Sequence, residues 1–181
     1  MKRSTFTLLS LFLFVNANTA QAHPHNDVEQ QALISIGWDS LALEIRIVPS
    51  LDEGAAIYAH IDSNGDGLVS DSEAAVFGAQ VLSKARLEVG GDEISLGNPN
   101  VLIPNKESVS AGLAVIKIDA DASFPPITNA RHTVAFEITY EEFSQDWFIQ
   151  PFFYAPLMEQ PTKPSVHRSA SGHRVEIKLS P

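Results

Sequence analysis

The sequence predicts a mainly β fold, an immunoglobulin-like β-sandwich with a helix–loop–helix inserted after its first hairpin. Three observations carry that prediction. Roughly seven or eight short runs rich in β-branched and aromatic residues are separated by turns bearing Pro and Gly. Only the stretch from about residue 51 to 84 departs from strand periodicity, its apolar side chains recurring at helical spacing. The 181 residues include no Cys, so stability must come from an ordinary core rather than from disulfides. A chain of this size is long enough to build such a core in one domain, and neither a second domain nor an internal repeat is visible.

The chain opens with the pattern of a signal peptide over residues 1–22. Lys2 and Arg3 are a short basic start, Leu8 to Val15 is apolar except for Ser10, and Ala20-Gln21-Ala22 is an Ala-x-Ala cleavage signal. The apolar run is too short for a permanent span. The expectation is cleavage after Ala22, a single domain over residues 23–181, no membrane insertion, and a periplasmic or secreted location. Loss of Lys2 and Arg3 makes the mature chain more acidic than the −10 of the whole sequence. Such a balance excludes nucleic acid, whose phosphates need a basic footprint, and anionic membrane surfaces.

The mature part is expected to begin with a hairpin. Residues 32–36 and 41–48 are β-rich, joined by the turn-like Gly37-Trp38-Asp39-Ser40. In the second run Leu43, Ile45 and Ile47 alternate with Glu44 and Arg46, the pattern of a strand with one wet face. Pro49 stops it, and a helix follows. Leu51-Asp52-Glu53 leads, with acids placed for a first turn, and Gly54, Ile57, Tyr58 and Ile61 share one face. A second helix carries Ala74, Phe77, Gly78 and Val81 on one face and is expected to run through Lys84.

Between these helices residues 62–73 read Asp-Ser-Asn-Gly-Asp-Gly-Leu-Val-Ser-Asp-Ser-Glu. Calcium takes six to eight oxygen ligands, and this stretch offers oxygens at alternate positions. Asp62, Asn64 and Asp66 stand at positions 1, 3 and 5, and Gly67 at position 6, where the chain must turn sharply. Leu68 offers its carbonyl at position 7 and Ser70 its hydroxyl at position 9. Glu73 at position 12 is long enough to bind through both oxygens. Val69 at position 8 is the apolar residue that pins the loop to the interior. An Asx-rich turn is the plain alternative, but it requires neither the closing Glu nor the flanking helices. Over about thirty residues this segment resembles the EF-hand family, which implies Ca2+ as the ligand.

The loop stands alone. In the other acidic cluster, Asp119-Ala-Asp121-Ala-Ser123, Phe124 stands where glycine is required and Ala130 where the closing Glu belongs. An exported, unpaired loop with three ligating carboxylates is expected at the weak end of the range, about 10⁻⁴ M or weaker.

Strands are expected to resume with a hairpin, residues 86–89 and 93–96 about a Gly90-Gly91-Asp92 turn. Residues 110–119, 132–140 and 147–154 are further strand candidates. Residues 174–179 make a last strand, alternating Val175, Ile177 and Leu179 with charged neighbours. Residues 160–172, polar and rich in Pro and Ser, read as a long loop or a flap. Trp147, Phe148, Phe152, Phe153 and Tyr154 read as core, with a binding surface as the alternative.

Cleavage after Ala22 would place His23-Pro24-His25 at a free terminus. An amine beside an imidazole is a bidentate chelate for copper or nickel. The amino-terminal copper/nickel motif is excluded, because Pro24 has no amide proton to lose. What is left is a brace-like arrangement of the amine and ring of His23 with another His, drawn from His25, His60, His132, His167 or His173. An unstructured, solvent-exposed terminus is the alternative.

The order His-Pro start, hairpin, helix, single calcium loop and second hairpin, over about residues 23–100, resembles the extracytoplasmic N-terminal region of some bacterial nickel-permease (hydrogenase/urease accessory) homologues. Transmembrane helices follow in that family, whereas here the sequence reaches Pro181 without one. The resemblance implies a free-standing periplasmic relative tied to metal handling, with His23 the matching residue and a membrane permease or another periplasmic protein as partner.

Three functions follow from these readings. The first is an exported, non-enzymatic calcium-binding protein whose ion is structural. The second is a periplasmic copper- or nickel-handling protein built on His23. The third is a hydrolase, for which no nucleophile elbow, metalloprotease helix or catalytic acid pair is legible; Ser165 with His167 reads as loop composition.

Overall fold

Gln30, Ala32, Ile34 and Ile36 turn inward along β1 (Glu29–Ile36), and Leu41, Leu43, Ile45 and Ile47 do so along β2 (Ser40–Val48). Side chains of a strand point to opposite faces in turn, so this alternation buries one face of an antiparallel hairpin that pairs Glu29 with Val48 and Ile36 with Leu41. In the computed structural model, which describes residues 27–127 and 132–180, this hairpin seeds the first of two sheets.

The first sheet has five strands. To the hairpin it adds β5 (Gly97–Leu102) and β6 (Ile116–Ser123) on the β2 side and β8 (Trp147–Phe153) on the β1 side, in the order β5-β6-β2-β1-β8. All its pairings are antiparallel except β1 with β8, where Gln30 lies against Trp147 and Ile36 against Phe153. The second sheet, also of five strands, runs β4-β3-β7-β10-β9 and is antiparallel throughout. Its strands are β3 (Ala85–Val89), β4 (Asp92–Ile94), β7 (His132–Ile138), β9 (Ser165–Arg168) and β10 (Arg174–Leu179). Their inward residues, among them Leu87, Val134, Phe136, Ile138, Val175, Ile177 and Leu179, join those of the first sheet in one apolar core. The fold is mainly β, 42% strand and 19% helix, in two antiparallel-rich sheets as in a β-sandwich.

The helical segment is the crossover between the sheets. α1 (Gly54–Ile61) leaves β2 and α2 (Asp71–Leu82) leads into β3. Ile57, Tyr58 and Ile61 of α1 and Phe77 and Val81 of α2 enter the same core. The helix bounds differ slightly from expectation. Residues 51–53 form a turn before α1, so no acid lies in its first turn, and α2 stops at Leu82 with Ser83 as cap and no basic residue in its last turn.

Three segments depart from the sequence reading. Residues 110–115 are not strand. Asn105 accepts a hydrogen bond from the Ser108 amide (2.9 Å) and starts a short helix α3 (Lys106–Ser110), which ends at Gly112, whose φ of 67° suits glycine; the strand begins only at Ile116. β5 was not anticipated, because an edge strand carrying Gly97, Asn98 and Pro99, irregular between Gly97 and Asn100, shows no alternation. Residues 160–172 are not one loop, since β9 forms within them against β10. A short helix α4 (Ala155–Met158), with Pro near its start, precedes them.

The aromatic reading needs correction too. Trp147 is buried and Phe153 half-buried, but Phe148, Phe152 and Tyr154 are exposed. The first two follow from strand alternation along β8, which runs at the edge of its sheet. The Gly90-Gly91 turn forms as expected, with φ of 64° and 97°. Among the described residues no helix is long and apolar enough to cross a membrane. The expected signal peptide, His23 and His25 lie outside the described residues.

Candidate metal centre

α1 ends where Asp62, its C-cap, sends its amide to the Tyr58 carbonyl. The chain then folds back on itself, the Ser63 amide donating to the Ile61 carbonyl and the Gly65 amide to that of Asp62. Gly67 holds φ 87°, a left-handed backbone that a side chain would strain. Ser70 caps α2 in a capping box: its hydroxyl accepts from the Glu73 amide while the Glu73 side chain accepts from the Ser70 amide.

Inside this frame the side-chain oxygens bind the loop's own amides. Asp62 Oδ1 accepts from the Gly65 amide (3.0 Å) and Oδ2 from that of Gly67 (2.9 Å). Asn64 Oδ1 accepts from Asp66 (2.8 Å), and Asp66 Oδ1 from Leu68 (2.9 Å). Glu73 Oε1 accepts from the Ser63 hydroxyl and the Asn64 amide, both at 3.1 Å. Its Oε2 accepts from the amide (2.9 Å) and hydroxyl (2.8 Å) of Ser70. Thus Asn64, Asp66, Ser70 and Glu73 share one chain of hydrogen bonds, while Asp62 binds the Gly65 and Gly67 amides separately. The Tyr58 hydroxyl adds a 3.4 Å bond to the Gly67 carbonyl.

Burial separates two of these groups from every other acid. Asp62 is 5% exposed and Glu73 9%, and they are the only buried carboxylates among the described residues. Neither has a Lys, Arg or His partner within salt-bridge distance there. The Ser70 amide, then its hydroxyl, and the Asn64 amide hold the Glu73 carboxyl down to about 2 from its ordinary 4.5, against an opposing effect of burial. It is therefore anionic at neutral pH.

An ionised carboxylate has about four lone-pair sites. Asp62 has used two of them and keeps two free, whereas Glu73 has four donors on it. A bidentate grip on a cation by Glu73 would exchange some of these donors for the ion. The side-chain groups of this loop are oxygen donors, the type a hard cation takes rather than copper or nickel. No group of three or more His, Asp or Glu side chains suited to a metal occurs among the described residues; a cation held here would need oxygens from Asn64, Ser70 and the Leu68 carbonyl as well. Leu68 presents its side chain to solvent, and Val69 packs partly against the core.

Each helix is fastened to a different part of the protein. α1 packs on α3, and a Cβ added at Gly54 would overlap the Val109 carbonyl oxygen. α2 packs on β5, and a Cβ at Gly78 would overlap the Val101 side chain. The helices meet each other only slightly. Beneath them His60, Phe77, Tyr140 and Phe143 form a ring cluster, His60 and Phe143 edge-to-face at 5.3 Å and Phe77 stacked on Phe143 at 6.1 Å.

The four described histidines are dispersed. His60 belongs to that ring cluster, His132 opens β7, His167 is exposed on β9, and His173 bonds the Gln145 carbonyl beside Glu141. Ser165 and His167 lie on β9 rather than in a loop. Asp119 and Asp121 lie on β6, where Asn100 and Asn98 donate to them. The sequence reading missed Ser63 and Lys106. Ser63 had a local signal, a hydroxyl next to the first ligand position. Lys106 had none, since α3 reaches the loop only through the fold. Comparison with family models, with curated proteins and with solved structures returned no match.

Proposed function

We propose that residues 62–73 form a single EF-hand loop that binds Ca2+, and that the ion is structural, locking the helix pair into an immunoglobulin-like sandwich. One observation carries the reading. The only two buried acids described stand at the first and twelfth positions of one loop, without a basic partner. A buried charge is costly unless it is paired or coordinates a metal. Asp62, Asn64, Asp66, Ser70 and Glu73 would supply side-chain oxygens and Leu68 its carbonyl. The structural role, rather than a switching one, is supported by the fastening of α1 to α3 and of α2 to β5, which opposes the opening of one helix against the other. On this reading the protein is exported, acts in the periplasm or outside the cell, and is not an enzyme.

The test is thermal unfolding of the mature protein with calcium and with chelator. A ligand at a hundred times its dissociation constant stabilises by about 2.7 kcal/mol, so near 10 mM calcium a site of about 10⁻⁴ M gives a rise of several degrees. Glu73→Gln should abolish that rise. No shift for the wild type at millimolar calcium refutes the proposal. The copper or nickel reading, with a permease or periplasmic partner, stands on His23 and His25 alone. It predicts that one extra residue before His23 lowers copper affinity, and equal affinity removes it.

A further inference from the structure

We propose that Lys106, carried by α3, is a built-in restraint on the calcium affinity of the loop, an inference that rests on the calcium reading above. α3 approaches the loop from outside the helix pair. Asn105 caps it, Val109 is fully buried, and the Val109 carbonyl lies so close to Gly54 that no side chain fits there. The backbone that bears Lys106 is thereby fixed against α1. The Lys106 ammonium lies 5.8 Å from the centroid of the Tyr58 ring, and a Cβ added at Gly67 would stand 4.0 Å from it. The same Tyr58 donates its hydroxyl to the Gly67 carbonyl. One cation therefore stands over the sixth position of the loop.

Lys106 makes no ion pair among the described residues. The loop beneath it contains Asp62, Asp66, Asp71 and Glu73. The attraction of the ammonium to these carboxylates is present with or without an ion, so its net effect on binding is its repulsion of the divalent cation, which lowers affinity. A unit charge about 8–10 Å from a divalent ion in water-like surroundings changes binding roughly three- to ten-fold. Because Lys106 is exposed, salt screens the effect.

The experiment is calcium titration by calorimetry of the mature wild type, Lys106→Gln and Lys106→Arg, at about 0.02 M and about 0.5 M salt. Lys106→Gln should bind roughly three- to ten-fold more tightly at low salt, with the difference falling below about two-fold at high salt. Lys106→Arg should keep the wild-type affinity within about two-fold. Unchanged or weaker binding by Lys106→Gln at low salt overturns the proposal. So does Lys106→Arg behaving like Lys106→Gln, which would assign the effect to shape rather than charge. If the wild type takes up no calcium, the calcium reading itself fails. If calcium binds and the variants do not differ, only the role of Lys106 fails.

Discussion

Replacing Gly54 with Ala tests the contact that fixes the first helix. An added Cβ would stand 3.1 Å from both the Ser110 Cα and the Val109 carbonyl carbon, and would overlap the Val109 oxygen. All three obstacles are backbone atoms, so no rotamer change relieves them; α3 must move as a unit. One effect opposes the loss. Ala is favoured over Gly inside a helix by about 1 kcal/mol, chiefly because it reduces the freedom of the unfolded chain, although position 54 is the first residue of α1, where the gain is smaller. Overpacking typically costs about 1–3 kcal/mol, and a backbone obstacle belongs at the upper end. The net expectation is a loss of about 1–2 kcal/mol. At about 2–4 °C per kcal/mol for a chain of this size, Tm should fall by roughly 2–8 °C. Thermal unfolding followed by far-ultraviolet circular dichroism, with chelator present, measures it. An unchanged or higher Tm would show that helix propensity wins and that α1 does not bear on α3.

Three further outcomes are expected. Phe136→Ala, at a fully buried position of β7, should cost about 3–5 kcal/mol by urea denaturation; a loss below about 1 kcal/mol would contradict the packing described. Gly67→Ala places a side chain at φ 87°, so it should cost about 1–2 kcal/mol and weaken calcium binding, read by the same melts with and without the ion. Hydrogen bonding lowers the carboxyls of both Glu73 and Glu88, the latter chiefly through Arg174. Groups with a lowered folded value stabilise above their unfolded value and lose that contribution as pH falls. Tm should therefore be level down to about pH 5 and decline between 4.5 and about 2, less so in Glu73→Gln; a Tm that holds or rises over that interval contradicts the hydrogen bonding described.

The parts of the fold that local chemistry determines were legible. Leu43, Ile45 and Ile47 alternate in sequence and alternate in β2, and Ile57, Tyr58 and Ile61 share a face in both. The turn between α1 and α2 was legible because its Asx and Gly residues favour one, and Gly67 adopts φ 87° there. What escaped the sequence depends on neighbours. β5 exists because β6 offers it a partner, not because Gly97-Asn98-Pro99 favours a strand. β9 is likewise made by its pairing with β10. Ser110 ended a short helix, with a turn at Ala111 and Gly112, because Asn105 captured the Ser108 amide, a competition between a cap and a strand that β-rich composition does not decide. Lys106 was invisible for a different reason: its meaning lies in a contact with Tyr58, far away in the chain.

The parallel pairing of β1 with β8 has a consequence for the order of folding. Gln30 meets Trp147, and Ile36 meets Phe153, so the first strand described gains its second neighbour only when most of the chain is present. Until then β1 has β2 on one side and a bare edge on the other. Contacts of such long sequence separation form slowly, since the intervening chain must first be ordered. A fragment ending before Trp147 therefore cannot complete its first sheet, however well its local hairpins and the loop of residues 62–73 form.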